Sequence, residues 1–199
     1  MMKILGISGS PRKEGNTSIL VKRALGICRE KGAEIEFISL ADKEILYCDN
    51  CNACVPKNNF LCPKNDDVPE ILEKMKSADA LIIGSPAYFS SVSGKLKSLF
   101  DRTLPLRRNN FQLSGKVGGA IAVGGSRNGG QEFVLRDIQN WMLLHEMIIV
   151  GDKKTAHFGG IAVGRKMGDV INDEEGMKTV ENLAVMVFET TSRMRGNEE

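Results

Sequence analysis

Cys48, Cys51, Cys54 and Cys62 are separated by two, two and seven residues, and Pro63 directly follows the last of them. Thiolates at steps of three along a tight loop can all turn inward on one compact object, and such a run suits a cubane iron–sulfur cluster held by four cysteines. The longer spacer, Val55 to Leu61, contains Pro56, Asn58 and Asn59. These are turn-forming residues, so the spacer can bend back and deliver Cys62 to the same cluster. The spacing therefore reads as one four-cysteine site, not half of two.

Other chemistries compete for the same residues. Structural zinc takes four thiolates too, although it usually arranges them as two separated Cys-x2-Cys pairs, and ligand type alone leaves it open. A disulfide framework suits small secreted domains. Here the N-terminus, Met1 to Ser8, runs into what reads as a core strand with no cleavable apolar segment, which points to a reducing cytoplasm. The fifth cysteine, Cys28, sits among Ala24, Leu25 and Ile27 at helical spacing and reads as a small buried hydrophobe.

A second chemical feature is the loop Ser8-Gly9-Ser10-Pro11-Arg12-Lys13-Glu14-Gly15-Asn16-Thr17-Ser18. It offers hydroxyls, an amide, backbone N–H groups and the start of a helix in one place, with Ser10, Asn16, Thr17 and Ser18 able to complete a shell around a phosphate. No Gly-Lys-Ser/Thr closes it and it lacks Gly-x-Gly-x-x-Gly, so it is neither a Walker loop nor a dinucleotide fingerprint. An ordinary polar loop ending in an N-cap is the plainer alternative. Two further loops, Gly84 to Ser91 with Pro86, Ala87, Tyr88 and Phe89, and Gly124 to Gly130 with Gly125 and Ser126, offer small and aromatic residues suited to a flat heteroaromatic ring.

These loops need a frame that brings them together. Ile4 to Ser8, Glu34 to Leu40, Ala80 to Ser85, Val117 to Gly124 and Met147 to Gly151 read as strands. Helical periodicity covers Ser18 to Lys31, a stretch from Val68, Gln131 to about Glu146, and Asp173 to Arg193. Strands alternating with helices call for a parallel sheet covered on both faces. In such sheets ligands bind beyond the carboxyl ends of the strands. The segments 41–67 and 152–172 fall outside the alternation.

Composition narrows the class. The 199 residues carry a net charge of +2 from 27 basic and 25 acidic side chains, without a basic stripe for nucleic acid. No apolar run approaches the roughly 20 residues of a membrane span. His145, on the polar edge of a helix, and His157, in a glycine-rich loop, lack partners at metal-ligand spacing and are expected to face solvent or be satisfied locally. Trp141, Met142, Leu143, Leu144 and Met147 read as core or as a dimer interface. Arg107 and Arg108 read as solvated or as a lure for an anionic donor protein.

Together the Gly-Ser-Pro-Arg loop ending in Asn-Thr and the Ser-Pro-x-Tyr loop resemble the flavodoxin-like FMN reductase family from Lys3 to about Val150. With the cysteine run, the chain resembles the iron–sulfur flavoproteins of anaerobic prokaryotes. The resemblance implies a single flavodoxin-like domain over residues 1–199, a doubly wound five-stranded parallel sheet with a cluster-binding insertion at 41–67 after the second strand. It implies FMN, held at its phosphate by Ser8 or Ser10, Arg12, Asn16, Thr17 and Ser18 and at its ring by Pro86, Ala87, Tyr88, Phe89, Gly125 and Ser126. It implies a [4Fe-4S] cluster on Cys48, Cys51, Cys54 and Cys62, a ferredoxin-like electron donor, dioxygen or hydrogen peroxide as acceptor, and a homo-oligomer in which each cluster approaches a neighbour's flavin. The runner-up is an NAD(P)H-dependent FMN or quinone reductase with a structural metal; a redox sensor or carrier is a third reading.

Overall fold

In the computed structural model, which describes residues 1–196, the alternation of the sequence becomes a parallel sheet. β1 (Lys3–Ser8), β2 (Glu34–Ser39), β3 (Ala80–Pro86), β4 (Val117–Gly124) and β5 (Ile148–Val150) lie in the order β2-β1-β3-β4-β5. All neighbouring pairs are parallel. Parallel neighbours need crossovers, and helices supply them. α1 (Asn16–Glu30) and α6 (Glu174–Gly196) cover one face; α2 (Val68–Ser77), α3 (Gly94–Asp101), α4 (Leu104–Arg108) and α5 (Gln131–Leu144) lie on the other.

The pleat divides each strand between two cores. Ile4, Ile82, Ile121 and Val123 point to α1 and α6, where they meet Leu20, Val21, Leu183 and Val187. Leu5, Ile7, Leu81, Ile83, Ala120 and Ala122 point the other way, to Ile71, Met75, Leu96, Leu99, Val134 and Ile138. Burial on both faces explains why β3 and β4 are continuous apolar runs instead of alternating ones.

The fifth strand position is split. β5 pairs with Val117 to Gly119, and a further strand, β6 (Gly160–Val163), pairs with Ile121 to Gly124 on the same edge of β4. This corrects the expectation that 152–172 lies outside the alternation. Four residues, Gly-Ile-Ala-Val, among glycines give too short a pattern to read as a strand. Their place is fixed by β4 and by α6, whose Thr179 hydroxyl accepts from the Ile161 N–H at 2.9 Å.

One side chain, His145, differs from its expected place at the surface. His145 is buried, with Trp141 tilted against it at 4.8 Å between centroids, and its Nε2 lies 2.9 Å from the Thr103 hydroxyl. Trp141 stacks on Phe100 at 4.5 Å and donates its Nε1–H to the same hydroxyl. Met142 and Met147 are core, whereas Leu143 and Leu144 are exposed. Cys28 is buried under α6, and burial pushes its thiol up to about 12, which leaves it protonated and inert.

Candidate cofactor sites

The loops beyond the carboxyl ends of β1, β3, β4 and β6 are laced into one cleft. Gly9 N–H donates to Gly84 O at 2.8 Å, Ala87 N–H to Val123 O at 2.8 Å, and Gly164 N–H to Gly124 O at 2.9 Å. The Ser93 hydroxyl, also the N-cap of α3, donates to Gly9 O. The cleft encloses about 210 Å³ and is lined by Ser10, Arg12, Asn16, Thr17, Pro86, Ala87, Tyr88 and Gly125 of the expected set. Gly15, Val123, Gly164 and Arg165 line it as well.

Ser8 and Ser18 lie under the floor, where the Ser18 hydroxyl donates to that of Ser8 at 3.0 Å. Asn16 uses both ends of its amide elsewhere: Nδ2 donates to Lys166 O and Oδ1 accepts from Gly168 N–H, each at 2.8 Å. It clasps the loop after β6, and that clasp brings Arg165 to the cleft. No sequence signal marks Arg165 apart from its place beside Gly164. A Cβ on Gly164 would come within 2.5 Å of Asn16 Nδ2, so the clasp requires glycine there.

No side chain caps the first turn of α1 and no carboxylate lies in it. Its free N–H groups and the positive end of its dipole face the cleft beside Arg12 and Arg165, a donor set that fits a phosphate. At the other end, Tyr88 and Ser91 exchange backbone hydrogen bonds of 3.0 and 3.1 Å around Phe89 and Ser90, whose φ values are 49° and 61°. Both residues of this tight turn are left-handed without being glycine, a strained conformation that neighbouring structure must hold. Gly130 packs under Ser90, where a Cβ would meet Ser90 Oγ at 2.5 Å, and the Ser91 hydroxyl donates to Asp137 on α5. Phe89 projects fully into solvent; Ser126 engages Gln131 through its carbonyl oxygen.

The cysteine segment leaves the edge strand β2 and returns at α2. Its neck is tied by Asp66, which accepts from Leu46 N–H, Val68 N–H and both terminal nitrogens of Arg102, and by Asp67, which accepts from Glu44 N–H and the Lys43 ammonium. Beyond the neck, Asn50, Asn52 and Asn59 adopt left-handed φ of 55°, 56° and 55°. Asparagine tolerates this conformation best among non-glycine residues. A single helical turn over Pro56–Asn58, with the Asn58 amide donating to Ala53 O, reverses the spacer. Cys48, Cys51, Cys54 and Cys62 then line one pocket with Arg102 and Arg108, and all are free thiols.

Among the described residues no three metal-ligating side chains converge tightly enough to hold a single ion. A mononuclear site asks its ligands to meet at a point, whereas a cubane asks each thiolate to serve a different iron. Four thiols lining one pocket are the donor type that such a cluster takes. The cysteine pocket and the cleft beyond the strand ends share no lining residue. Among the described residues, no helix is long and apolar enough to cross a membrane.

Comparison with known proteins shows the family and the fold. A family model described as NADPH-dependent FMN reductase matches residues 2–159. An iron–sulfur flavoprotein from Methanocaldococcus jannaschii is 55% identical over 98% of this chain and 100% of its own. Another from Methanosarcina thermophila is 41% identical, covering 100% of each chain. Among solved structures, an archaeal flavodoxin with 16% identity superposes with a TM-score of 0.63 over 96% of this chain and 99% of its own, which shows the shared fold.

Proposed function

Because the chain belongs to the NADPH-dependent FMN reductase family, as one of its iron–sulfur flavoproteins, we propose that it passes electrons from a ferredoxin-like donor through a [4Fe-4S] cluster to FMN, and on to dioxygen or hydrogen peroxide. The observation that carries this reading is the presence, on one chain, of a phosphate-fitting cleft and a separate pocket ringed by four thiols. When bound, a flavin exchanges two electrons or one while a cluster exchanges one, so the pair links the two kinds of transfer. The protein supplies position and environment. Arg12, Arg165 and the start of α1 would hold the phosphate, and Pro86, Ala87, Tyr88 and Gly125 would flank the ring.

The working unit in this reading is a homo-oligomer. The cysteine segment stands on an edge strand, shares no wall with the cleft, and presents Tyr47 and Leu61 to solvent, while the cleft presents Tyr88 and Phe89. Apolar side chains exposed at both sites favour docking of one copy's cluster on another's flavin. The runner-up, an NAD(P)H-dependent FMN or quinone reductase, is favoured by the family description.

The test uses anaerobically purified protein. The expected result is an FMN-to-chain ratio near unity with iron and acid-labile sulfide in equal amounts, and flavin bleaching by reduced ferredoxin. Zinc in place of iron, or bleaching by NADPH alone, would favour the runner-up. Mixing Cys51→Ala subunits with FMN-free subunits should restore ferredoxin-driven flavin reduction that neither shows by itself.

A further inference from the structure

Arg108, at the end of α4, lies far along the chain from the cysteines, yet its Nη1 donates to the Cys54 sulfur at 3.3 Å and its Nη2 to Asn52 Oδ1 at 3.0 Å. The other cations of the same pocket are matched by carboxylates. Arg102 is paired with Asp66 at 2.7 Å and Lys64 with Asp49 at 3.0 Å. Among the described residues no carboxylate lies within ion-pairing distance of Arg108. Its neighbour Arg107 turns away, over the Phe111 ring, and lines a different groove. The one unbalanced positive charge in the cysteine pocket is therefore placed on a thiol that the cluster would use.

We infer that Arg108 is a positioning residue that sets the reduction potential of the cluster through Cys54. Reduction adds one electron, supplied by the donor, and neither forms nor breaks a bond at Cys54. The reduced cluster carries one more negative charge than the oxidised one, so a fixed cation and a hydrogen bond on a ligand sulfur stabilise it more and raise the potential. The half-buried site is shielded from the screening that would erase such an effect at an open surface. Asn52, in its left-handed turn between Cys51 and Cys54, holds the second nitrogen of the guanidinium and so fixes the approach of the first.

The inference rests on the reading that the four cysteines hold an iron–sulfur cluster, and the experiment separates the two. Dithionite titration of anaerobic holoprotein, followed by electron paramagnetic resonance of the reduced cluster, gives its midpoint. At the wild-type midpoint, Arg108→Gln should show a reduced-to-oxidised ratio about tenfold lower, a fall of about 59 mV for a one-electron couple. Arg107→Gln, with the same change in net charge one residue away, should leave the midpoint in place. Iron-loaded Arg108→Gln with the wild-type midpoint, or an equal fall in Arg107→Gln, overturns the inference alone; wild-type protein lacking iron and sulfide overturns the reading beneath it. Should Arg108→Gln fail to keep its cluster, Asn52→Ala, which releases the guanidinium from its second contact, decides: a midpoint below wild type supports the inference, and an unchanged one refutes it.

Discussion

Arg102, the residue that ends α3, and Asp66 at the neck of the cysteine segment form a two-pronged ion pair, with contacts of 2.7 and 3.0 Å and side chains that are 1% and 0% exposed. Burial would raise the Asp66 carboxyl, but Arg102 and the N–H groups of Leu46 and Val68 hold it below the usual carboxylate range. Arg102 Nη1 also reaches Leu46 O at 2.9 Å, so one guanidinium ties both strands of the neck. Burial would lower the Arg102 pKa, yet Asp66 and the Cys62 thiol keep it above its ordinary value.

Removing one partner strands the other, at a cost of about 3–5 kcal/mol for a buried pair. Asp66→Asn is expected to lower the melting temperature and to reduce iron content together, because the neck opens as the pair breaks. Replacing both residues by apolar ones should cost less stability than either single change. A single variant that melts like the wild type would show that the neck is held by other contacts.

Alanine at Cys48, Cys51, Cys54 or Cys62 is expected to lose or degrade the cluster, whereas Cys28→Ala keeps it, since Cys28 is buried beneath α6 with its sulfur on Ala184 O at 3.6 Å. Iron and sulfide analysis of the five variants checks this. Full iron content in Cys62→Ala would remove the fourth ligand from the set.

Asn16→Ala releases the clasp on Lys166 and Gly168 and with it the position of Arg165. At about 1 kcal/mol or a little more for the lost hydrogen bonds, FMN should bind roughly tenfold more weakly. Asn16→Asp should bind more weakly still, because it adds a negative charge beside the phosphate. Fluorescence titration of flavin-free protein gives the affinities, and equal affinity in all three proteins would detach the β6 loop from flavin binding.

Burial, aided by the positive charge of Arg107, pushes His145 down to about 4. The unfolded chain therefore takes up a proton at His145 below about pH 6.5 while the folded protein does not until near pH 4. Stability from the neutral imidazole is complete above pH 6.5 and is lost as pH falls toward 4, by about 3 kcal/mol at most. His145→Gln should weaken the protein at neutral pH but narrow its gap to the wild type at pH 5. Melting curves at the two values decide it; a gap that stays constant would show that His145 titrates alike in both states.

The sequence determined what local spacing can encode. Cysteine intervals, the Gly-Ser-Pro-Arg and Ser-Pro-x-Tyr loops and the strand–helix alternation are set by residues close along the chain, and they led to the fold, the family and the four cysteines and eight loop residues that line the two pockets. Tertiary structure decided what depends on distant partners. β6 exists because β4 offers an edge about forty residues away. His145 reads as a surface residue until Thr103 and Trp141 close over it. Asn16 fits a phosphate shell in the sequence, but the β6 loop takes both ends of its amide. Arg108 has no local signature at all; only the return of the cysteine segment against α4 sets its charge on Cys54, because hydrogen bonds and electrostatic contacts depend on separation in space.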